Sequence, residues 1–154
     1  MLDGEVTEID LHEIVKGHNG RISQLIHGMI KRWGAPGRTG AGLLTVEQFL
    51  VQASDAYAFA PNLEPHPPLD EIGRRLLDLR NVDGVAQVLL ANAGAAEGEL
   101  AIDRIVIVAS AAADQFQPFA TLFGAVGILE ADQNTLRLVG PLAPKLVVWK
   151  IVWD

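Results

Sequence analysis

The chain has 154 residues, a formal net charge of -7 and no cysteine, which predicts one domain with its own core and excludes disulfides, thiolate catalysis, zinc-thiolate sites and iron-sulfur ligation. With 12 Lys and Arg against 19 Asp and Glu it is a poor general nucleic-acid binder, because phosphate neutralisation dominates such affinity. The opening residues lack the basic start and apolar run of a signal peptide, and the longest uncharged stretch, Gln115 to Leu129, is too short to span a bilayer, so a soluble cytoplasmic protein is expected.

Charge is segregated at the start. Residues 1 to 13 carry Asp3, Glu5, Glu8, Asp10 and Glu13 with no base, while residues 14 to 46 carry Lys16, Arg21, Lys31, Arg32 and Arg38 with no acid. Residues 5 to 17 fit a strand or a helix equally, and His18-Asn19-Gly20 is a turn signal. From Arg21, residues Ile22, Leu25, Ile26, Met29, Ile30 and Trp33 make one apolar stripe, predicting a helix that stops at Gly34. Gly34 to Gly42 is a glycine-rich loop.

Thr45 and Gln48 have capping-box spacing, and Leu44 can staple onto Phe49. A second helix is expected from there to Pro61, burying Val46, Phe49, Leu50, Ala53 and Tyr57. Pro61 to Pro68 reads as an extended spacer, since proline fixes its own φ and restricts its predecessor. A third helix is predicted over 69 to 80, with Leu69, Ile72, Leu76 and Leu79 inward and the pairs Asp70 with Arg74 and Glu71 with Arg75 four apart.

The period then changes. Gly84 to Ala91 and Ala101 to Ala109 are short apolar, β-branched runs that read as strands. Asp114 to Phe123 reads as a short helix, with Asp114 and Gln117 in capping-box spacing. Ala125 to Ala131 and Thr135 to Val139 read as a hairpin across Asp132-Gln133-Asn134. The closing strand places Val147, Trp149, Ile151 and Trp153 on one side and Leu146, Val148, Lys150 and Val152 on the other. The expectation is a single α+β domain over 1–154, with helices across about 9–80 packed on a mostly antiparallel sheet of about five strands across 84–153. With the helices on the Trp149 side, the other side asks for a second layer, expected in part from another subunit.

Val88 to Gly94, ending Asn92-Ala93-Gly94, resembles the Asn-Ala-Gly segment of short-chain dehydrogenases, and Arg104 to Ser110 faintly resembles that family's next strand. The resemblance implies a dinucleotide-dependent oxidoreductase. The rest of the pattern departs: no glycine-rich turn follows a first strand, and the one tyrosine, Tyr57, has Pro61 where the family has Lys. An Asn-Ala-Gly turn accounts for the segment without the family.

Candidate sites are sparse. The Gly34 to Gly42 loop could bring backbone amides to an anion beside Arg32, Arg38 and Thr39, with His27 as an acid or base, but helix, loop and missing Lys depart from a P-loop. His12, His18, His27 and His66 show no metal spacing, and His66, between prolines, is expected to be solvated. Glu97, Glu99 and Asp103 read as a solvated rim, and Ser110 lacks a nucleophile elbow. Neither a cofactor nor a metal is implied. Trp149, joined by Trp33, is expected in the core, while Val148, Val152 and Trp153 are candidates for an interface.

These observations favour a non-catalytic module that binds a protein partner or assembles with its own copies. The alternatives are a small enzyme or ligand-binding protein taking a phosphate- or carboxylate-bearing ligand at residues 21–42, and an acidic inhibitor or immunity-type protein.

Overall fold

The computed structural model describes residues 20–34, 42–53, 56–60, 66–110, 112–122, 124–125 and 127–152. The ambiguous segment 5–17, most of the Gly34 to Gly42 loop with Arg38 and Thr39, and Trp153 lie outside them.

Helix α1 (Gly20–Trp33) buries Ile22, Ile26, Met29 and Ile30, as its stripe predicts. It ends at Gly34, whose φ of 84° suits glycine and whose N–H donates to Ile30 O at 2.7 Å. A three-residue strand, β1 (Leu43–Thr45), follows between the glycine-rich stretch and the second helix, where the sequence predicts no strand; it is too short to carry an alternation signal. Helix α2 (Val46–Gln52) opens with the expected capping box: Thr45 Oγ1 accepts from Gln48 N–H at 3.1 Å, and Gln48 Oε1 accepts from Thr45 N–H at 2.9 Å.

This helix does not run on to Pro61. It stops at Ala53, and Tyr57, expected to be buried, lies in a single 3-10 turn and is 60% exposed. Sheet pairing outcompetes helix propensity here. Phe59 bridges to Ile102, Ala60 N–H donates to Ile102 O at 2.9 Å, and the fully buried Phe59 ring tilts against Phe49 at 5.9 Å between centroids. Helix α3 (Leu69–Arg80) matches its predicted bounds, and both acid-arginine pairs form, at 3.1 and 3.0 Å. A Cβ on its Gly73 would stand 3.0 Å from the Leu25 side chain and 3.3 Å from that of Leu50, so this glycine lets α3 close on α1 and α2.

The sheet contains β2 (Val85–Asn92), β3 (Ile102–Ala109), β4 (Gly127–Glu130) and β5 (Val147–Val152) beside β1, in the order β1-β2-β3-β5-β4 with every neighbouring pair antiparallel. This is the expected α+β architecture. Side-chain alternation gives two faces. Leu44, Leu90, Ile105, Ile151 and Ile128 form one row across all five strands and meet α1, α2 and α3 in the larger core. Trp149 and Trp33 both pack against that core.

Between β3 and β4 the chain crosses β5 on this helical face, through a 3-10 turn at Ala113–Phe116 and helix α4 (Gln117–Leu122), with Phe116 and Ala120 buried. The expected capping by Asp114 does not form; the turn begins after Ala112 with no side-chain cap.

The far face holds the main correction. Thr135 to Val139 is no strand but the body of helix α5 (Gln133–Val139). Over five residues, strand and helix periods are hard to separate, and the local cap decides. Asp132 Oδ1 accepts from Thr135 N–H at 2.8 Å, and Gly140, at φ 89°, closes the other end with its N–H on Leu136 O at 3.0 Å. Leu136 and Val139, three apart, then land on one side and pack with Leu146 and Ala131 on a second core of Leu43, Leu89, Ala91, Val106, Val108 and Val148. The second layer demanded by β5 is thus supplied at least in part by this chain. No helix among the described residues is long and apolar enough to cross a membrane.

Candidate functional site

Three helix ends meet at one pole of the helical layer. Trp33 and Arg80 are the last residues of α1 and α3, and Glu47 lies in the first turn of α2. The helix dipole favours each placement, with cations at C-termini and an acid at an N-terminus. Arg80 Nη1 donates to Glu47 Oε1 at 2.8 Å, its guanidinium lies 4.0 Å from the Trp33 ring centroid, and that of Arg32 lies 4.7 Å from the same ring. A planar guanidinium can stack on indole while its edge holds a carboxylate, which lysine would not do.

Glu47 is fully buried, and its Oε2 has no hydrogen-bond partner. A buried carboxylate needs its counter-ion, so Arg80 is fixed to Glu47 rather than free to take a ligand. Sequence reading passed over both residues. The available signal was Glu47 standing inside a helix of otherwise apolar or capping positions, where an acid must be paired.

Of the residues proposed for an anion, Arg32 is exposed beside Trp33, His27 is exposed on α1, and Arg38 and Thr39 lie outside the described residues. Five positions separate His27 from Arg32, roughly 140° around a helix, so the two do not share a face. His66 is not simply solvated: it is half-buried, with Nε2 2.7 Å from Phe59 O, Nδ1 2.9 Å from Pro67 O and the Tyr57 ring 4.5 Å away. It fastens the extended segment before α3 to the Phe59 bridge.

The clefts lined by described residues include two of several hundred cubic ångströms. One of about 510 Å³ lies between α1 and α3, with Gln24, Leu25, Gly28, Arg74 and Leu77 on its walls, and Arg74 is held there by Asp70. The other, about 400 Å³, lies between β1 and the β2–β3 loop and includes Gly42, Gln52, Asn92 and Glu99. Asn92 is committed to the loop: its Oδ1 accepts from Gly94 N–H at 3.1 Å and Ala101 N–H at 2.8 Å, and its Nδ2 donates to Glu99 O at 2.9 Å. A Cβ on Gly94 would meet Glu99 O at 2.9 Å, which explains why Asn-Ala-Gly is used here in purely conformational terms. Ser110 Oγ donates to Gly84 O at 3.4 Å, and among the described residues no three His, Asp or Glu side chains are grouped to hold a metal.

Among the described residues, the exposed large apolar ones are Tyr57, Leu129, Leu138, Leu142 and Val147, four of which fall in sequence from β4 to the start of β5. Leu129, on the edge strand β4, is 52% exposed. Of the expected interface residues, Val148 is 2% exposed within the far core, Val152 is half-buried beside Gly127, and Trp153 lies outside the described residues.

No curated protein and no solved structure matches the chain. A family model does match residues 21–151, which cover α1 through most of β5 and hence both cores, and on that span the chain belongs to the uncharacterized protein YfbO family.

Proposed function

We propose that this chain is a protein-interaction module that assembles with its own copies through the surface formed by β4, α5 and the segment leading into β5. The observation that carries this reading is Leu129, 52% exposed on the edge strand β4, with the exposed Leu138 and Leu142 following it in the chain. Scattered single apolar residues on a surface are ordinary, but one standing on an open sheet edge, where backbone groups are also on offer to a second strand, favours association.

Light scattering coupled to size exclusion tests the proposal. A dimer or higher closed oligomer is expected at micromolar concentration. A strict monomer at every concentration, with no protein co-purifying, would overturn it.

A further inference from the structure

We infer that two copies pair edge to edge through β4, about a two-fold axis at Leu129, so that two five-stranded sheets become one continuous antiparallel sheet. This rests on the self-assembly reading above and adds its geometry. Among the described residues the sheet ends at two edges, β1 and β4. The three-residue β1 is a poor template, because Thr45 N–H is taken by Gln48 Oε1 and the strand passes straight into α2.

The phase of β4 follows from one bond. Ala131 N–H donates to Val148 O at 3.0 Å, and the β4–β5 register continues through Leu129 with Lys150 and Gly127 with Val152. In an antiparallel ladder the hydrogen-bonded positions alternate. Ala131, Leu129 and Gly127 therefore turn their backbone groups towards β5, while Ile128 and Glu130 turn theirs outwards, and no described residue bonds to those outward groups.

A second β4 can satisfy them in few ways. Outward-turned residues must face outward-turned residues, so a two-fold axis within the strand falls at Ile128, Leu129 or Glu130. An axis at Glu130 opposes two carboxylates directly, which destabilises a strand pair. One at Ile128 leaves the exposed Leu129 opposite Gly127, with no side chain to meet. The axis at Leu129 sets each Ile128 against Glu130 of the other copy, both exchanging N–H and C=O. It also places the two Leu129 side chains in a non-hydrogen-bonded pair, the kind in which opposed side chains come closest. The residue with the most exposed aliphatic side chain among those described is thereby covered by its own copy. Helix α5, which follows β4 on the far face, carries a further exposed leucine, Leu138. Self-complementarity of this register is what selects a second copy over a foreign strand.

The chain has no native cysteine, so Leu129→Cys creates a single thiol that meets its own copy across the axis at a spacing a disulfide can bridge. Mild oxidation of that full-length variant is expected to give a covalent dimer, whereas Gln87→Cys, exposed on the far face of β2, is expected to stay monomeric on a reducing-agent-free gel. Leu129→Lys, judged folded by far-ultraviolet circular dichroism, is expected to raise the dimer dissociation constant at least about ten-fold. An oligomer that survives Leu129→Lys and does not cross-link through Leu129→Cys overturns the β4 pairing but leaves self-assembly standing. A wild-type monomer overturns both. A chain that purifies with a different protein and loses it on Leu129→Lys overturns the pairing of copies at this edge.

Discussion

Arg80 and Glu47 form a largely buried ion pair that is costly to break. Glu47 is fully buried with one oxygen on Arg80 and the other without a hydrogen bond, so removing Arg80 would strand a charge in the core. Arg80→Ala is expected to destabilise the fold by about 3–5 kcal/mol in chemical denaturation. Glu47→Gln keeps an acceptor for Arg80 without the charge and should cost less, about 2 kcal/mol or below. If both variants lose the same small amount, the pair is not the counter-ion arrangement described. Asn92 is a smaller lock of the same kind. Its three bonds span the β2–β3 loop, and Asn92→Ala should cost about 1–3 kcal/mol through the amide groups of Gly94 and Ala101 left without their acceptor.

At the scale of the element, α5 depends on Asp132. This carboxylate caps the helix, meets Lys150 Nζ at 3.3 Å and is lowered from 3.8 to about 2 by hydrogen bonds from Thr135 and then by Lys150. Because its folded pKa lies below the unfolded value, its contribution is present above about pH 4 and is lost as pH falls through about 2. Amide protection across Gln133–Val139, taken against the intrinsic exchange rate at each pH, should therefore fall over that window in the wild type and be already low at neutral pH in Asp132→Ala. Lys150 belongs to the same device: it stands in the far-face row between Val106 and Leu129, with its side chain largely covered and its ammonium on Asp132. The sequence made α3 legible because twelve residues of regular period carry two supporting charge pairs. It hid α5 because Thr135 to Val139 satisfies two periods at once, and the decisive Asp132 reads equally as a turn residue. The early end of α2 was hidden for another reason: Phe59 is captured by Ile102, more than forty positions on, a pairing no local window contains.

For the whole molecule, the decisive contrast is between two apolar residues of neighbouring strands that share the far face. Alternation made Val148 an expected interface residue and singled out no role for Leu129, and their burial differs in the other direction. Val148 is 2% exposed beneath residues of its own chain, while Leu129 is 52% exposed at the sheet edge. An aspartate at position 148 would be buried without a counter-ion, a situation that costs several kcal/mol and approaches the whole stability of a small domain. Val148→Asp is therefore expected to unfold the monomer, seen as loss of the cooperative thermal transition rather than as a smaller particle in light scattering. Leu129→Lys puts a solvated charge where the side chain already meets water, so the thermal transition of the dilute monomer should stay within a few degrees of wild type while association is lost. A folded, monomeric Val148→Asp variant would mean that the far face opens without unfolding the sheet, and that α5, rather than the β4 edge, is the element that moves aside for a partner.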